Sequence, residues 1–494
     1  MATNRVTGMY SGLDTEGLIS QLVEAKKIKV TQATKKQMTI KYKQEAWTDL
    51  NKKVKNLFST ISNMRYESSY MKNKTEVSDS SYVSVTTSDA AMLATQDLTV
   101  DKLAQTAYLT GNEISAGTDK VTSGTKLADI DSNLVGQTIS ITMDDGTTTD
   151  VKITEDMTLG NLTNELSKAG VNCKFDASTQ RIFVGANKTG KAGDFTFSCD
   201  GDGLTTLGLD SANKIPGKDG QITLNGATFT STDNVYNING LTITAKALTN
   251  GEKVTLTTSQ DSSAIYDMIK KCVKEYSDLM NEMDKLYNAD TKTKYEPLTD
   301  EEKAAMSDYE IEQWESKMKG QILAKDSSIS SLSSALKEIM SRGIEINGKT
   351  MYLFDFGVET GGYFETADNE KNALHIMGDA DDALYSGNDN KLQQMIETDP
   401  EAVTKFFSQL YKNVYEKMDT MSARVNDTRS YGSFYDDIKL RNDYSDYTSK
   451  IADMEDKLAK YEDKWYNKFA AMESAMAKMQ SNQNAIAGLF GGGN

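Results

Sequence analysis

Histidine occurs once in this chain of 494 residues, as His375. One imidazole leaves no room for a multi-histidine metal centre and takes histidine-based catalytic triads out of contention. Its setting, NALHIMG, reads as a short strand, so His375 is expected to be structural. Cysteine is nearly as scarce. Cys173, Cys199 and Cys272 are too few and too scattered for a disulfide framework or a zinc cluster, and they read as free, mostly buried thiols. No apolar run approaches the roughly 20 residues of a membrane span, so no membrane insertion is expected. The opening MATNRVTGMYSGLDTEG lacks the apolar core of a cleavable secretory signal.

Catalytic and metal motifs are equally thin. CDGDGLTTLG invites a calcium loop, but its fifth position is Leu204 and the closing Glu is missing. A dinucleotide turn would need glycine at Thr206. The stretch is expected to be a β-turn. GDADDALYSGNDN carries Asp379, Asp381 and Asp382 and reads as a solvated loop rather than a metal site. No spacing singles out a pair of carboxylates facing across a cleft. The sequence therefore predicts no enzyme, no metal and no cofactor.

Charge is plentiful but unevenly placed. The net charge is −17, yet residues 1–74 carry +8 and residues 441–494 carry −1, leaving −24 for the body between them. The basic residues of the N-terminal part are spread around a helix with acids among them, without an aromatic patch, and read as a solvated face. An acidic body disfavours nucleic acid and anionic membranes.

The sequence is rich in helix seams at both ends. Tyr447, Ile451, Met454, Leu458, Tyr461, Trp465, Phe469, Met472, Met476 and Met479 are spaced 4, 3, 4, 3, 4, 4, 3, 4 and 3 apart. That is the spacing of a coiled coil, with a stutter at Tyr461, Trp465 and Phe469. Neither Pro nor Gly interrupts residues 443–487, a run of about 65 Å as helix. A helix that long cannot fold back on itself, so the stripe needs a partner. The N-terminal segment offers one: after a cap at Ser11 or Asp14, apolar residues recur as Leu18, Ile19, Leu22 and Val23. The pattern weakens through KKIKVTQATKKQMT and recovers at Ile40, Trp47, Leu50, Val54, Leu57, Ile61 and Met64. The tail NAIAGLFGGGN adds Ile486, Leu489 and Phe490 on a glycine-rich end.

Between the two ends lies a different composition. From residue 76 to 262 the chain is rich in Thr, Ser, Asn, Asp and Gly, with alternating runs such as TISITM, RIFVG, QITLNGATFT and LTITAK separated by turn signals. One helix, TLGNLTNELSKAG, interrupts it and is expected to stop at Gly170. Helix returns at 263 with a broad apolar face from Ile265 to Leu286, then a capping box at Thr299 and Glu302, and helices over 327–341, 389–397 and 400–422. The fold class is therefore multidomain α+β. Terminal coiled-coil arms (1–40 and 441–494) and a mainly helical leg (41–75 and 263–440) flank one β-rich head domain (76–112 and 220–262), into which a second is inserted (113–219).

These segments, in this order, resemble the flagellar filament cap family, also called hook-associated protein 2. GMYSGLDTEGLISQLVEAKK resembles the family's opening motif. Residues 127–209 resemble a β-rich repeat of flagellar axial proteins, and YEPLTDEEKAAMSDYEIEQWESKMKGQILAKDSSISSLSSAL and LQQMIETDPEAVTKFF resemble its leg. The family often has Pro just after the first acidic helix, where this chain reads Lys29-Val30; the helix is expected to run on. The resemblance implies a small ring, a pentamer in the usual picture, at the distal tip of the extracellular filament. It would be exported without a cleaved signal peptide and would retain flagellin so that it folds and inserts. Implied partners are further copies of itself, flagellin and the filament tip, a hook-associated junction protein and an export chaperone. Outward-facing loops binding host mucin or glycans, or a junction role, are the alternatives. The expected contact residues for self-assembly and filament docking are Leu18, Ile19, Leu22, Val23, Ile451, Met454, Leu458, Tyr461, Trp465, Phe469, Met472, Met476, Met479, Ile486, Leu489 and Phe490.

Overall fold

The computed structural model describes residues 11–115, 120–210, 213–362, 366–367 and 370–490, with side chains described to residue 487. The chain forms two compact units, one from its two ends (to Tyr70 and from Ser263) and one from Met71–Ser262. Helix α1, Thr15–Met64, opens the first. Asp14 is its cap, accepting from the Gly17 N–H at 2.8 Å. The helix passes Lys29-Val30 without a break. Its second half places Trp47, Leu50, Val54, Leu57, Ile61 and Met64 at 3- and 4-residue spacing, and all are fully buried.

Met71–Ser262 is an antiparallel β unit with two separate apolar cores. In one, strands Asn73–Val77, Val254–Gln260, Ala94–Lys102, Gly220–Leu224 and Ala227–Ser231 lie side by side in that order. A second sheet of Val235–Ile238, Leu241–Ala245 and Val83–Thr87 encloses Leu98, Val100, Ile222, Ile243 and Leu256 with it. The QITLNGATFT hairpin turns on Asn225 (φ 51°) and Gly226 (φ 83°). Two successive positive φ values are what a primed two-residue turn requires.

The other core sits between strands Lys214–Ile215, Thr106–Thr110, Arg181–Thr189 and Val171–Asp176 and strands Thr148–Lys152, Thr138–Met143 and Phe195–Cys199. Short helix α2 is Leu127–Ile130. Helix α3, Leu159–Ser167, is capped by Thr158 and buries Leu159, Leu162 and Leu166. It stops before Gly170, whose φ is 92°. The CDGDGLTTLG stretch differs from expectation. Instead of a β-turn it forms a helical turn, α4, Gly203–Thr206, because the Gln137 Oε1 accepts from the Gly203 N–H at 2.9 Å and anchors its start.

The remaining helices complete the first unit: α5 Ser262–Tyr287, α6 Asp300–Ala304, α7 Asp308–Gln321, α8 Ser327–Met340, α9 Lys391–Thr398, α10 Pro400–Met421 and α11 Asp437–Phe490. Thr299 and Glu302 form the expected capping box of α6. Asp399 caps α10, with Pro400 in its first turn. The broad face of α5 (Ile265, Ile269, Cys272, Tyr276, Met280, Met283) meets α1 and the α10 residues Val403, Phe406, Phe407, Leu410 and Val414 in one core. Phe356 and Phe406 lie 4.5 Å apart, and Phe406 and Phe407 meet edge to face at 5.3 Å. Each such side chain contributes about 1.5–3 kcal/mol on burial.

His375 lies in strand Leu374–Ile376, with Nδ1 2.7 Å from Asp382 Oδ2. The acidic loop beside it is not simply solvated. Asp379 is buried, and the Lys270 ammonium donates to Asp379 at 2.5 Å and to Asp381 at 2.6 Å. All three carboxylates are committed to a cation or an imidazole and so act as pins between loop and core. The thiols are free, and burial pushes Cys173 and Cys272 up to about 12.

Candidate functional site: the paired terminal helices

Helices α1 and α11 lie antiparallel, their contacts falling in step along the pair. At the root, the Trp47 ring stacks on Tyr435 at 5.0 Å and 8°, and Asn51 Oδ1 accepts from the Phe434 N–H at 3.0 Å. Further out, Gln37 Nε2 donates to Thr448 Oγ1 at 2.6 Å, and Lys26 Nζ sits 5.5 Å above the Tyr461 ring. At the far end Ser11 meets Glu473. This pairing gives the α11 stripe a partner from the opposite end of the same chain.

The pairing leaves the stripe only half covered. Ile451, Met454, Leu458, Tyr461, Trp465, Phe469, Met472 and Met476 are all half-buried, and Met479 (71 % exposed) and Ile486 (55 %) face solvent. Leu489 and Phe490 lie beyond the described side chains. Among the described residues, no apolar side chain of α11 is fully buried. Tyr461, Trp465 and Phe469 form a ladder with ring centroids 6.2 and 5.9 Å apart, set by the stutter that puts them on successive turns. The Trp465 indole N–H is enclosed yet has no acceptor among the described residues.

On α1, Ile19 is buried and Leu22 and Val23 are half-buried, whereas Leu18 is 42 % exposed and points off the seam. Four seam residues escaped the sequence reading. Val30 and Ala33 are buried inside the lysine-rich stretch where the pattern looked weak, and Thr15 and Glu473 are buried polar residues at the far end. Two single small apolar residues among lysines, and a carboxylate on a charged helix, carry no periodic signal; only the register of the partner reveals them. A 240 Å³ groove remains open between the helices, floored by Val30, Met454, Leu458 and Tyr461 and edged by Lys26 and Lys29.

Ion pairs fasten α1 to its neighbours. Lys43 binds Asp326 at 2.7 Å, and Asp326 also accepts from the Trp47 indole at 3.3 Å. Lys27 pairs with Glu301 and Lys35 with Glu302 (2.6 Å), tying α6 to α1, while Lys319 of α7 lies over the Tyr42 ring at 5.3 Å. Partial burial pushes the Glu302 carboxyl up, but the Lys35 ammonium and the Thr299 N–H outweigh it and hold it below its ordinary value.

A long, narrow apolar stripe with a charged outer face has the chemistry to pack against other helices. Comparison with known proteins gives this surface a context. A family model described as flagellar hook-associated protein 2 C-terminus matches residues 217–481, and one described as flagellar hook-associated protein 2 N-terminus matches residues 11–107. The chain is 22 % identical to a flagellar hook-associated protein 2 of Halalkalibacterium halodurans, over 98 % of this chain and 99 % of that one. It is 24 % identical to one of Thermotoga maritima, over 68 % of this chain and 53 % of that one. A solved structure of the flagellar cap protein FliD D1-D2-D3 domains from Escherichia coli aligns with a TM-score of 0.49 at 18 % identity, covering 76 % of this chain and 97 % of that one.

Proposed function

The chain belongs to the flagellar hook-associated protein 2 family, the filament caps of the bacterial flagellum, and we propose that it works as a non-catalytic ring at the distal tip. In this reading, copies of the chain sit on the end of the filament, retain exported flagellin, and shelter it while it folds and inserts. The two chain ends (1–40 and 441–494) act as arms, residues 41–75 and 263–440 as a leg, and the two β bodies as a head. A junction protein below, an export chaperone before assembly, and a pentameric ring complete the proposal.

The observation that carries it is the half-covered stripe of α11. A helix pair that satisfied itself would bury its seam, whereas here Tyr461, Trp465 and Phe469 stay partly exposed. Additional helices, from further copies or from the polymer end, would cover the exposed part and gain apolar burial at about 25 cal/mol per Å². Methionines at 454, 472, 476 and 479 suit changing partners, since an unbranched thioether repacks against different surfaces at low cost. The test replaces Trp465 and Phe469 with serine in a strain making flagella. The expected result is shorter filaments and flagellin shed into the medium, with the purified variant failing to form rings under electron microscopy. Normal filaments and normal rings from this variant would refute the role given to the stripe.

A further inference from the structure

Glu473 is the one fully buried residue among the described side chains of α11, at 2 % exposed. Its apolar neighbours Met472 and Met476 are only half-buried. Burying a carboxylate is unfavourable unless donors satisfy it. Among the described residues, Ser11 at the other end of the chain supplies two donors: its N–H reaches Oε2 at 3.3 Å, and its hydroxyl donates to Oε1.

The backbone around Ser11 is shaped for this. Gly12 takes φ +68°, a left-handed conformation in which a side chain would be strained. The chain thereby turns before α1 begins. The Leu13 N–H donates to Ser11 Oγ at 3.3 Å and the Thr15 N–H to Leu13 O at 2.8 Å, so the turn is closed by its own hydrogen bonds. Ser11 is then free of the helix and faces α11.

The position of this contact matters. The root of the pair is held by the leg core through Trp47 and Tyr435. The stretch of α1 from Thr15 to Trp47, about 48 Å of helix, separates that root from the Ser11 turn. Along this length α11 supplies only half-buried apolar contacts. We infer that Ser11 and Glu473 form a releasable clasp that holds the far end of the helix pair shut. With the clasp made, Thr15 and Ile19 are covered. With it broken, the outer third of the pair separates while the root stays packed, and Ile19, Leu22 and the α11 ladder become available together. A hydrogen-bonded carboxylate suits a contact that must open. Its donors and acceptors are satisfied by water once apart, whereas an apolar plug would resist opening.

Hydrogen exchange on the full-length protein tests this without reference to filament assembly, so its outcome is separate from that of the capping role. In Glu473→Ala, amides of residues 15–30 and 455–480 should exchange at least tenfold faster, with residues 50–64 unchanged. Glu473→Gln keeps an acceptor for Ser11 and should stay within about threefold of wild type. Glu473→Met separates a clasp from plain packing: it extends the apolar seam but offers Ser11 no carboxylate. The clasp predicts faster exchange at the far end in this variant also. Wild-type or slower exchange in Glu473→Met, unchanged exchange in Glu473→Ala, or an increase spread evenly through residues 50–64 would each overturn the inference.

Discussion

Trp47 lies flat against Tyr435 at 5.0 Å, joining the middle of the first helix to a residue two positions before the last one begins. The indole N–H donates to Asp326, the same carboxylate that Lys43 pairs with and that caps α8. Chain start, chain end and leg core thus meet at one fully buried side chain.

Replacing Trp47 with alanine should therefore cost about 3–5 kcal/mol, the range for removing a large buried aromatic. Urea denaturation of the unit that holds α1 should show the loss, while the β unit melts as before. A change under about 1 kcal/mol would mean the stacking is incidental.

The thiols offer a second check. Cys272 and Cys173 are buried and their ionisation is pushed up to about 12, so neither should react with a thiol reagent at neutral pH. Cys199 is half-buried, with Sγ 3.1 Å from Gln137 Oε1, and should react slowly. The folded protein should titrate at most one thiol; denaturant should reveal all three cysteines of the sequence. Rapid labelling of Cys272 in the native state would contradict the packing described.

Acid should loosen α6 and α7 before the core. Hydrogen bonding to Lys303 lowers Glu315, and Lys35 holds Glu302 down against partial burial. A carboxylate whose ionisation is depressed by folding contributes fully above its unfolded value, here about 4.5, and that contribution is lost as pH falls through the lower folded value. Hydrogen exchange, corrected for its intrinsic pH dependence, should be steady over residues 300–321 above about pH 5 and rise below about pH 4. Residues 403–418 should hold. Simultaneous loss of both regions would show that the ion pairs do not control this hairpin.

Removing residues 480–494 should weaken docking to filament ends while leaving the leg and β unit folded, since Ile486 projects into solvent and supports neither core. Circular dichroism and thermal melting should change little. Undiminished retention at filament tips would show that this end is dispensable.

Much of this was legible beforehand, for identifiable reasons. The Tyr447–Met479 spacing announced a helix with one seam because its apolar side chains are large and regular. Asn225-Gly226 announced a hairpin because few other pairs tolerate two positive φ values. Leu18 was misplaced because helix periodicity marks a face about two residues wide, and a single partner helix covers only its centre, at Ile19. Val30, Ala33 and Glu473 were missed because their burial is decided by what lies opposite, which one strand of sequence does not contain. Asp379 was read as solvated because its partner, Lys270, lies on a helix 109 residues away.

The unbroken course of α1 from Thr15 to Met64 has a mechanical consequence. About 75 Å of helix without proline, bulge or hinge behaves as a stiff lever. A tug or twist delivered near Ile19 arrives at Trp47 and Leu57 with little slack, so strain imposed at one extremity is felt in the phenylalanine-lined interior.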